Sequence, residues 1–217
     1  ESEAQQGLKD AIARASGRVA VTCFASNVAR IQSICMAAQA NGRSVAVVGR
    51  ALNRAILAAR EVGYLNDLPD FVQENDIDLL PPDSLVIVCT GTQGEPRAAM
   101  ARIAAGTHET VSLQAGDTVI YSSRQIPGNE TAIARVQDML IRRQINLVTD
   151  HEAPVHVSGH PSRDEMVDMY GLVRPKIAIP VHGTARHLQA HAELAKACQV
   201  QQTLLPNNGA MIRLNGA

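Results

Sequence analysis

Two histidines four positions apart are the side chains of this sequence best placed to do chemistry. His156 and His160 flank Ser158 and Gly159, directly after a short apolar stretch. Imidazoles titrate near neutral pH, so they can transfer protons or hold phosphate oxygens, and the Ser158 hydroxyl and the Gly159 N–H can donate to the same anion. A hydrogen-bonded pair of structural histidines is the alternative interpretation. The compact spacing favours a site that handles a phosphate group.

A third histidine, His182, follows the apolar run Ile177–Val181. The run predicts a buried strand with His182 at its carboxyl tip, a position typical of metal ligands. One histidine does not define a metal site, because a catalytic zinc takes three or more protein ligands. His187 and His191 lie one helical turn apart, but no HExxH glutamate stands between them, so we interpret both as surface or packing residues.

Short β-branched runs alternate with amphipathic helical stretches before these histidines, and this rhythm predicts an α/β fold with a parallel sheet covered by helices on both faces. Ser2 and Gln5 predict a capping box at the first helix, and Asn129 is placed to cap a later one. The predicted strands are 19–24, 44–48, 85–89, 118–122 and 145–148, and the predicted helices are 2–15, 27–40, 51–62, 98–105 and 129–143.

Polar loops follow three of these strands. They are Ala25–Asn27, Thr90–Glu95 and the stretch from Ser122 to Asn129, which includes Ser123. Ligands of such sheets bind at the carboxyl ends of the strands, so the loops predict one polar crevice. Glycine, serine, asparagine and proline are also what tight turns require, which is the plainer interpretation of any single loop.

Composition excludes several classes of protein. The chain has 217 residues, 46% of them hydrophobic, with a net charge of −1 and only 2% aromatic residues. Charge alone therefore does not predict nucleic-acid binding, and broad base-stacking platforms are disfavoured. No apolar run is long enough to cross a membrane and the beginning is not a signal peptide, so we expect a cytoplasmic protein without a membrane partner. The scattered cysteines Cys23, Cys35, Cys89 and Cys198 predict buried, reduced thiols.

Five sequence segments follow one another in an order and at a spacing that together are specific: FASN, TGTQGEP, SSRQIPGNE, HVSGH and IPVHG. With them the chain resembles the metallo-β-lactamase/β-CASP nucleases, and among these the ribonuclease J family. The resemblance extends from about Glu3 to the segment LLPNNGAMIRL. Most of the histidines follow a predicted domain boundary near Asp150. The resemblance therefore implies a β-CASP domain over residues 1–150, and over residues 151–217 the returning C-terminal part of a metallo-β-lactamase αββα domain.

The resemblance assigns roles to individual residues. It makes His160 a catalytic histidine, places His156 beside it on the scissile phosphate, and makes His182 a ligand of one of two zinc ions. A histidine at that position favours RNA over DNA as the substrate. The implied substrate-binding residues, which include the pocket for a 5′ monophosphate, are Ala25, Ser26, Asn27, Ser123, His156, Val157, Ser158, Gly159 and His160.

The chain also departs from the family pattern. Thr184 stands where the family usually has a glutamate, so a carboxylate that could orient His182 is missing. The HxHxDH zinc motif does not occur and is expected before Glu1, which implies a fragment that is inactive alone. The whole protein would be a zinc-dependent ribonuclease, endonucleolytic and 5′ to 3′ exonucleolytic, and a homodimer or homotetramer. The alternative is a non-catalytic α/β module that binds nucleotides or RNA.

Overall fold

The computed structural model describes residues 1–214. These residues form two compact units, Glu1–Val157 and a second that starts at Ser158. Residues 149–155 follow the last strand of the first unit and pack back onto it, since Ala153 and Val155 belong to its core. The first unit therefore extends past the predicted domain boundary near Asp150. Residues 215–217, at the end of the predicted second domain, lie outside the described residues.

The first unit is built on a five-stranded sheet in the order β2-β3-β1-β4-β5, and every strand pair is parallel. The prediction of a parallel α/β sheet is thus confirmed. The strands are β1 Val19–Thr22, β2 Ser44–Val48, β3 Leu85–Cys89, β4 Thr118–Tyr121 and β5 Asn146–Val148. The three predicted polar loops leave the carboxyl ends of these strands, so they emerge at one edge of the sheet.

Helices cover both faces of the sheet because alternate strand residues point to opposite sides. Val19 and Val21 of β1 pack in one core with the first three helices, whereas Ala20 packs in the other core with the next two. The helices are α1 Ser2–Arg14, α2 Val28–Ala40, α3 Arg50–Glu61, α4 Ala99–Ala104 and α5 Glu130–Arg142, with 3-10 helices at Glu74–Leu79 and Pro82–Ser84. Each fully buried aliphatic side chain contributes about 1.5–3 kcal/mol.

The start of α1 differs from the prediction. Glu1, not Ser2, is the N-cap residue, and no side-chain cap bond forms, so the predicted Ser2–Gln5 capping box is wrong. The Glu1 side chain instead binds Arg30 and Ser33 of α2. A Cβ on Gly7 would stand 2.3 Å from the carbonyl oxygen of Pro154. Glycine thus lets α1 touch the backbone that leads to His156.

The second unit has α6 Arg163–Val173, β6 Ile177–Ala178, α7 Ala185–Ala197 and β7 Gln202–Thr203. Its two strands pair in parallel. Its core is small and consists of Ala178, Ala195 and Val200 with Tyr170 packed against it. The predicted buried strand Ile177–Val181 is wrong, because only Ile177 and Ala178 pair and Val181 is 67% exposed.

The cysteines are free thiols, and Cys23, Cys35 and Cys89 are buried while Cys198 is half-buried. Burial raises the pKa of Cys23 and of Cys35 to about 12, which keeps these thiols protonated and unreactive. Among residues 1–214, no helix combines the length and the apolar character needed to cross a bilayer.

Candidate functional site

The loop after β1 holds three of the predicted substrate-binding residues. Ser26 is exposed, while Ala25 and Asn27 are half-buried. The side-chain oxygen of Asn27 accepts the N–H of Arg30 at 3.0 Å and so caps α2. Asn27 therefore has a structural task, and its amide NH₂ group is the part of the side chain left for a ligand.

Arg30 of α2 is fully buried and ties this loop to two distant segments. Its Nη1 atom lies 2.8 Å from the Ser122 hydroxyl and 3.2 Å from the Val155 carbonyl oxygen. Its Nε and Nη2 atoms bind both carboxylate oxygens of Glu1, at 2.7 Å and 3.0 Å. A bidentate ion pair of this kind fixes the guanidinium in one orientation. The Ser122 hydroxyl donates to Val155 at 2.7 Å and completes the network.

His156 lies directly on this network. Its Nδ1 atom is 3.3 Å from Nη1 of Arg30, and the ring is half-buried. A guanidinium can only donate, so Nδ1 accepts and the neutral ring carries its proton on Nε2. Burial, and next the positive charge of Arg30, lower the pKa of His156 below its ordinary value, against the opposing effect of Asp150. His156 is thus held neutral, with one N–H to donate. Val157, the next residue, is half-buried.

The loops after β3 and β4 are joined to each other by Gln93. Its Nε2 atom donates to the Arg124 carbonyl oxygen at 3.0 Å, and its Oε1 atom accepts the Ile126 N–H at 2.9 Å. Gly94 lies so close to α5 that a Cβ would stand 2.4 Å from the Ala132 carbonyl carbon. The polar side chain of Gln93 therefore holds the two loops together and is not left open for a ligand.

Ser123 borders a polar cavity of about 590 Å³ beside the ends of β4 and β5. Arg124 and Asp150 also line it and form an ion pair at 3.4 Å between Nε and Oδ2. The loop Ala25–Asn27 does not contribute to this cavity. This cavity is thus lined by residues of two of the three loops, those after β3 and β4. Ser122 is hydrogen-bonded to Arg30 of α2, which follows β1. Ser123 lines the cavity together with Thr149 and Asp150, which follow β5.

The second unit carries the remaining predicted residues. The rings of His160 and His182 stack with their centroids 6.3 Å apart and an interplanar angle of 23°. Both side chains are exposed and line a cavity of about 560 Å³. The His160 N–H donates to the Ser158 hydroxyl at 3.1 Å, so this turn is held by its own residues. The structure thus brings together the predicted catalytic histidine and the predicted metal ligand.

His187 and His191 line the same cavity but have structural partners. Nδ1 of His187 accepts the N–H of Thr184, the N-cap residue of α7, at 3.3 Å. Nε2 of His191 lies 2.8 Å from the Tyr170 hydroxyl. His187 is exposed and His191 is half-buried, and the interpretation of both as surface or packing residues stays a prediction. Thr184 occupies the helix start instead of supplying a carboxylate to His182.

Two family descriptions match successive parts of the chain. "Ribonuclease J, beta-CASP domain" matches residues 16–140, more than half of the chain. The chain belongs to the ribonuclease J family. "Zn-dependent metallo-hydrolase RNA specificity domain" matches residues 152–203, which include the HVSGH motif.

Curated relatives agree with this membership. Ribonuclease J of Sinorhizobium meliloti is 46% identical over 214 residues, which are 99% of this chain and 38% of the relative. Ribonuclease J of Mycolicibacterium smegmatis is 46% identical over 217 residues, 99% of this chain and 39% of the relative. Ribonuclease J2 of Bacillus subtilis is 35% identical over 96% of this chain and 38% of its own length. The chain thus spans about two fifths of the length of these ribonucleases J.

The family description implies zinc, and a catalytic zinc takes at least three protein ligands. Within residues 1–214, no group of three or more histidines, cysteines or carboxylates is arranged to hold a metal. His160 and His182 supply two imidazoles, and Thr184 adds no carboxylate. These residues do not by themselves make a zinc site of the ribonuclease J family.

Sequence reasoning missed Arg30, the residue that positions His156. A single arginine in an amphipathic helix is ordinarily exposed. One signal was available in the sequence: Ile34 and Ala37 follow Arg30 by four and seven positions, which places Arg30 on an apolar side of the predicted helix. Its partners Ser122 and Val155 lie 92 and 125 positions away, beyond what a local pattern can indicate.

Proposed function

We propose that this chain is the substrate-holding part of a metal-dependent ribonuclease that hydrolyses RNA phosphodiester bonds, both internally and from the 5′ end in the 5′ to 3′ direction. The observation that supports this most is the stacked pair of exposed imidazoles, His160 and His182, in a chain of the ribonuclease J family. Exposed imidazoles can meet a phosphate without first losing a packing partner. The proposed setting is RNA processing and decay in the cytoplasm, in a homodimer or homotetramer of the longer protein.

The two histidines of the HVSGH motif receive different tasks. His156 is neutral and has its proton on Nε2, so we assign it as a hydrogen-bond donor to an oxygen of the scissile phosphate. His160 is exposed, its ring stacks on His182, and its hydrogen bond to Ser158 uses the backbone N–H, so we assign its ring nitrogens to proton transfer to or from the reacting oxygen. Arg30 then acts as a positioning residue, because it reaches the substrate only through His156.

A 5′ monophosphate carries more negative charge than an internal phosphodiester. Short side chains and backbone groups with neutral hydrogen-bond donors can recognise that phosphate without contacting the base. Ser26 offers an exposed hydroxyl, Asn27 its amide NH₂ group, and Gly159 a backbone N–H. We assign these residues, with Ala25, Ser123, Val157 and Ser158, to substrate holding.

We assign His182 as a ligand of one of two zinc ions, whose other ligands would come from outside this chain. Bound zinc would supply an activated water for attack on phosphorus.

The test uses the longer protein with internally labelled RNAs that carry either a 5′ monophosphate or a 5′ hydroxyl. The proposal expects mononucleotides released from the monophosphorylated end and fragments cut internally. His182→Ala should abolish both products while RNA binding persists, and His187→Ala, from the same cavity, should leave both nearly unchanged. RNA that is bound but never cut would identify a non-catalytic RNA-binding module instead.

A further inference from the structure

A cavity of about 750 Å³ lies at the carboxyl ends of β2 and β3, away from the histidines. Gly49 and Thr90, the residues that follow these two strands, form part of its wall. Its other lining residues include four arginines: Arg50, Arg54, Arg97 and Arg102. Four guanidinium groups around one cavity are unexpected in a chain whose net charge is −1.

These arginines lack counter-charges. All four are exposed, and the ion pairs found within residues 1–214 involve other arginines. Glu74 is the acidic residue among those that line the cavity, and its carboxylate accepts the Thr110 hydroxyl at 2.6 Å. Like charges gathered in a concave surface repel one another and create a positive potential that attracts anions.

Neutral donors point to the same class of ligand. Gly49 caps α3 without a side-chain bond, so the N–H groups of the first helical turn are open to an anion. His108 also lines the cavity, and its Nδ1 atom accepts the Thr110 N–H at 3.4 Å. The neutral ring therefore carries its proton on Nε2, an atom that is buried and has no partner among the described residues. Burial lowers the pKa of His108, which favours this neutral form.

We propose that this arginine cavity binds backbone phosphates of an RNA strand. Guanidinium forks and N–H groups recognise phosphate oxygens, and the lining residues include no phenylalanine or tyrosine on which a base could stack. The cavity also has a suitable place in the fold, because β3 lies next to β1 in the sheet and Ala25–Asn27 leave β1 at the same edge. The inference rests on the proposed function in one respect, that the polyanion is the RNA substrate.

The test compares two double variants of the longer protein, both in a His160→Ala background that limits cleavage. Arg54→Ala with Arg97→Ala removes two cavity charges, and Arg135→Ala with Arg142→Ala removes two exposed charges from α5 as the matched control. Binding of a labelled single-stranded RNA is measured by fluorescence anisotropy over a series of salt concentrations, with the RNA checked for integrity on a gel.

The cavity variant should bind RNA roughly tenfold more weakly, which corresponds to about 1.4 kcal/mol for two solvent-exposed phosphate contacts together. The slope of log affinity against log salt should fall by about 1.4, at about 0.7 for each phosphate that is no longer neutralised. The control should keep both the affinity and the slope. Equal decreases in the two variants would mean general surface charge and would overturn the proposal, as would no decrease in either.

Inorganic phosphate serves as a second probe, by calorimetric titration. Phosphate binding that the cavity variant loses, together with unchanged RNA binding, would identify a site for a free phosphate compound and contradict the RNA assignment. The proposed nuclease activity can fail separately: a protein that binds RNA through these arginines but leaves it uncut would keep the cavity proposal and remove the nuclease.

Discussion

Arg30 and His156 in the first unit are buried or half-buried and held by named partners, whereas His160 and His182 in the second unit are exposed and contact mainly each other. The surroundings differ in the same way. The first unit has two large aliphatic cores on either side of its sheet, and the second has a core of three small residues. Leu172 and Val173 of α6 are 82% and 61% exposed.

The two units position their histidines in different ways. Packing and the buried guanidinium of Arg30 fix the position and the proton of His156 before any ligand arrives. His160 and His182 are placed by a turn and by a left-handed backbone at His182, whose φ is +64°. Among the described residues, neither imidazole has a hydrogen-bond partner of the kind that Arg30 gives to His156. We propose that the first unit holds the substrate and that the second unit carries the groups that react.

The largest effect should come from Arg30→Ala in the first unit. Removing the buried guanidinium takes one donor from the Ser122 hydroxyl and one from the Val155 carbonyl, leaves Glu1 without its counter-charge and empties a packed position, so the free energy of unfolding should fall by about 3 kcal/mol. Urea unfolding measures it. Arg14→Ala, at the exposed end of α1, is the control and should stay within about 0.5 kcal/mol. A decrease no greater than that of the control would show that the network contributes nothing.

His160→Ala in the second unit should affect turnover and leave stability unchanged, the opposite of Arg30→Ala. In the longer protein, turnover should fall by roughly 100-fold, as for loss of a proton-transfer group, while stability stays unchanged because the side chain is exposed. Single-turnover cleavage of a labelled RNA gives the rate, and thermal unfolding gives the stability. Near-normal turnover would remove His160 from the chemistry.

His156 should make the stability of the first unit depend on pH. The lowered folded-state pKa of His156 means that the unfolded chain binds more protons as the pH falls through the ordinary histidine value, about 6.5. Stability should therefore be present above that pH and decrease below it, down to the folded-state pKa. His156→Gln should reduce the slope, while His108 continues to contribute in the same direction. Unfolding titrations from about pH 5 to pH 8 measure this. A slope that is unchanged in His156→Gln would contradict this assignment.

The smallest effect concerns the terminal phosphate. Ser158→Ala, or Ser26→Leu as a bulky replacement, should weaken the preference for 5′-monophosphate over 5′-hydroxyl RNA more than it weakens internal cleavage, by a few-fold. Ser26 is the cleaner test, because the Ser158 hydroxyl also accepts the N–H of His160. Competition between the two RNAs gives the ratio. Equal effects on both substrates would assign these serines to the fold alone.

Strands of the first unit could be predicted within one or two residues because buried β-branched runs leave a clear pattern, as in Leu85–Cys89. The same reasoning failed for Ile177–Val181, where an apolar run has no sheet within residues 1–214 beyond the pair with Gln202 and Thr203. Family motifs predicted the residues of the second unit that the structure brings together, His160 and His182. Neither pattern nor motif predicted Arg30 or the arginine cavity, because both depend on contacts between segments far apart in the chain.

The most direct test of this division is to purify this chain alone, measure its zinc content, and measure both binding and cleavage of a labelled RNA with added zinc or manganese. The account predicts that RNA is bound, that zinc is substoichiometric and removed easily by a chelator, and that no RNA is cut, since residues 1–214 hold no group of three metal ligands. Two tightly bound metal ions, or cleavage at enzyme-like rates that survives repurification, would contradict it.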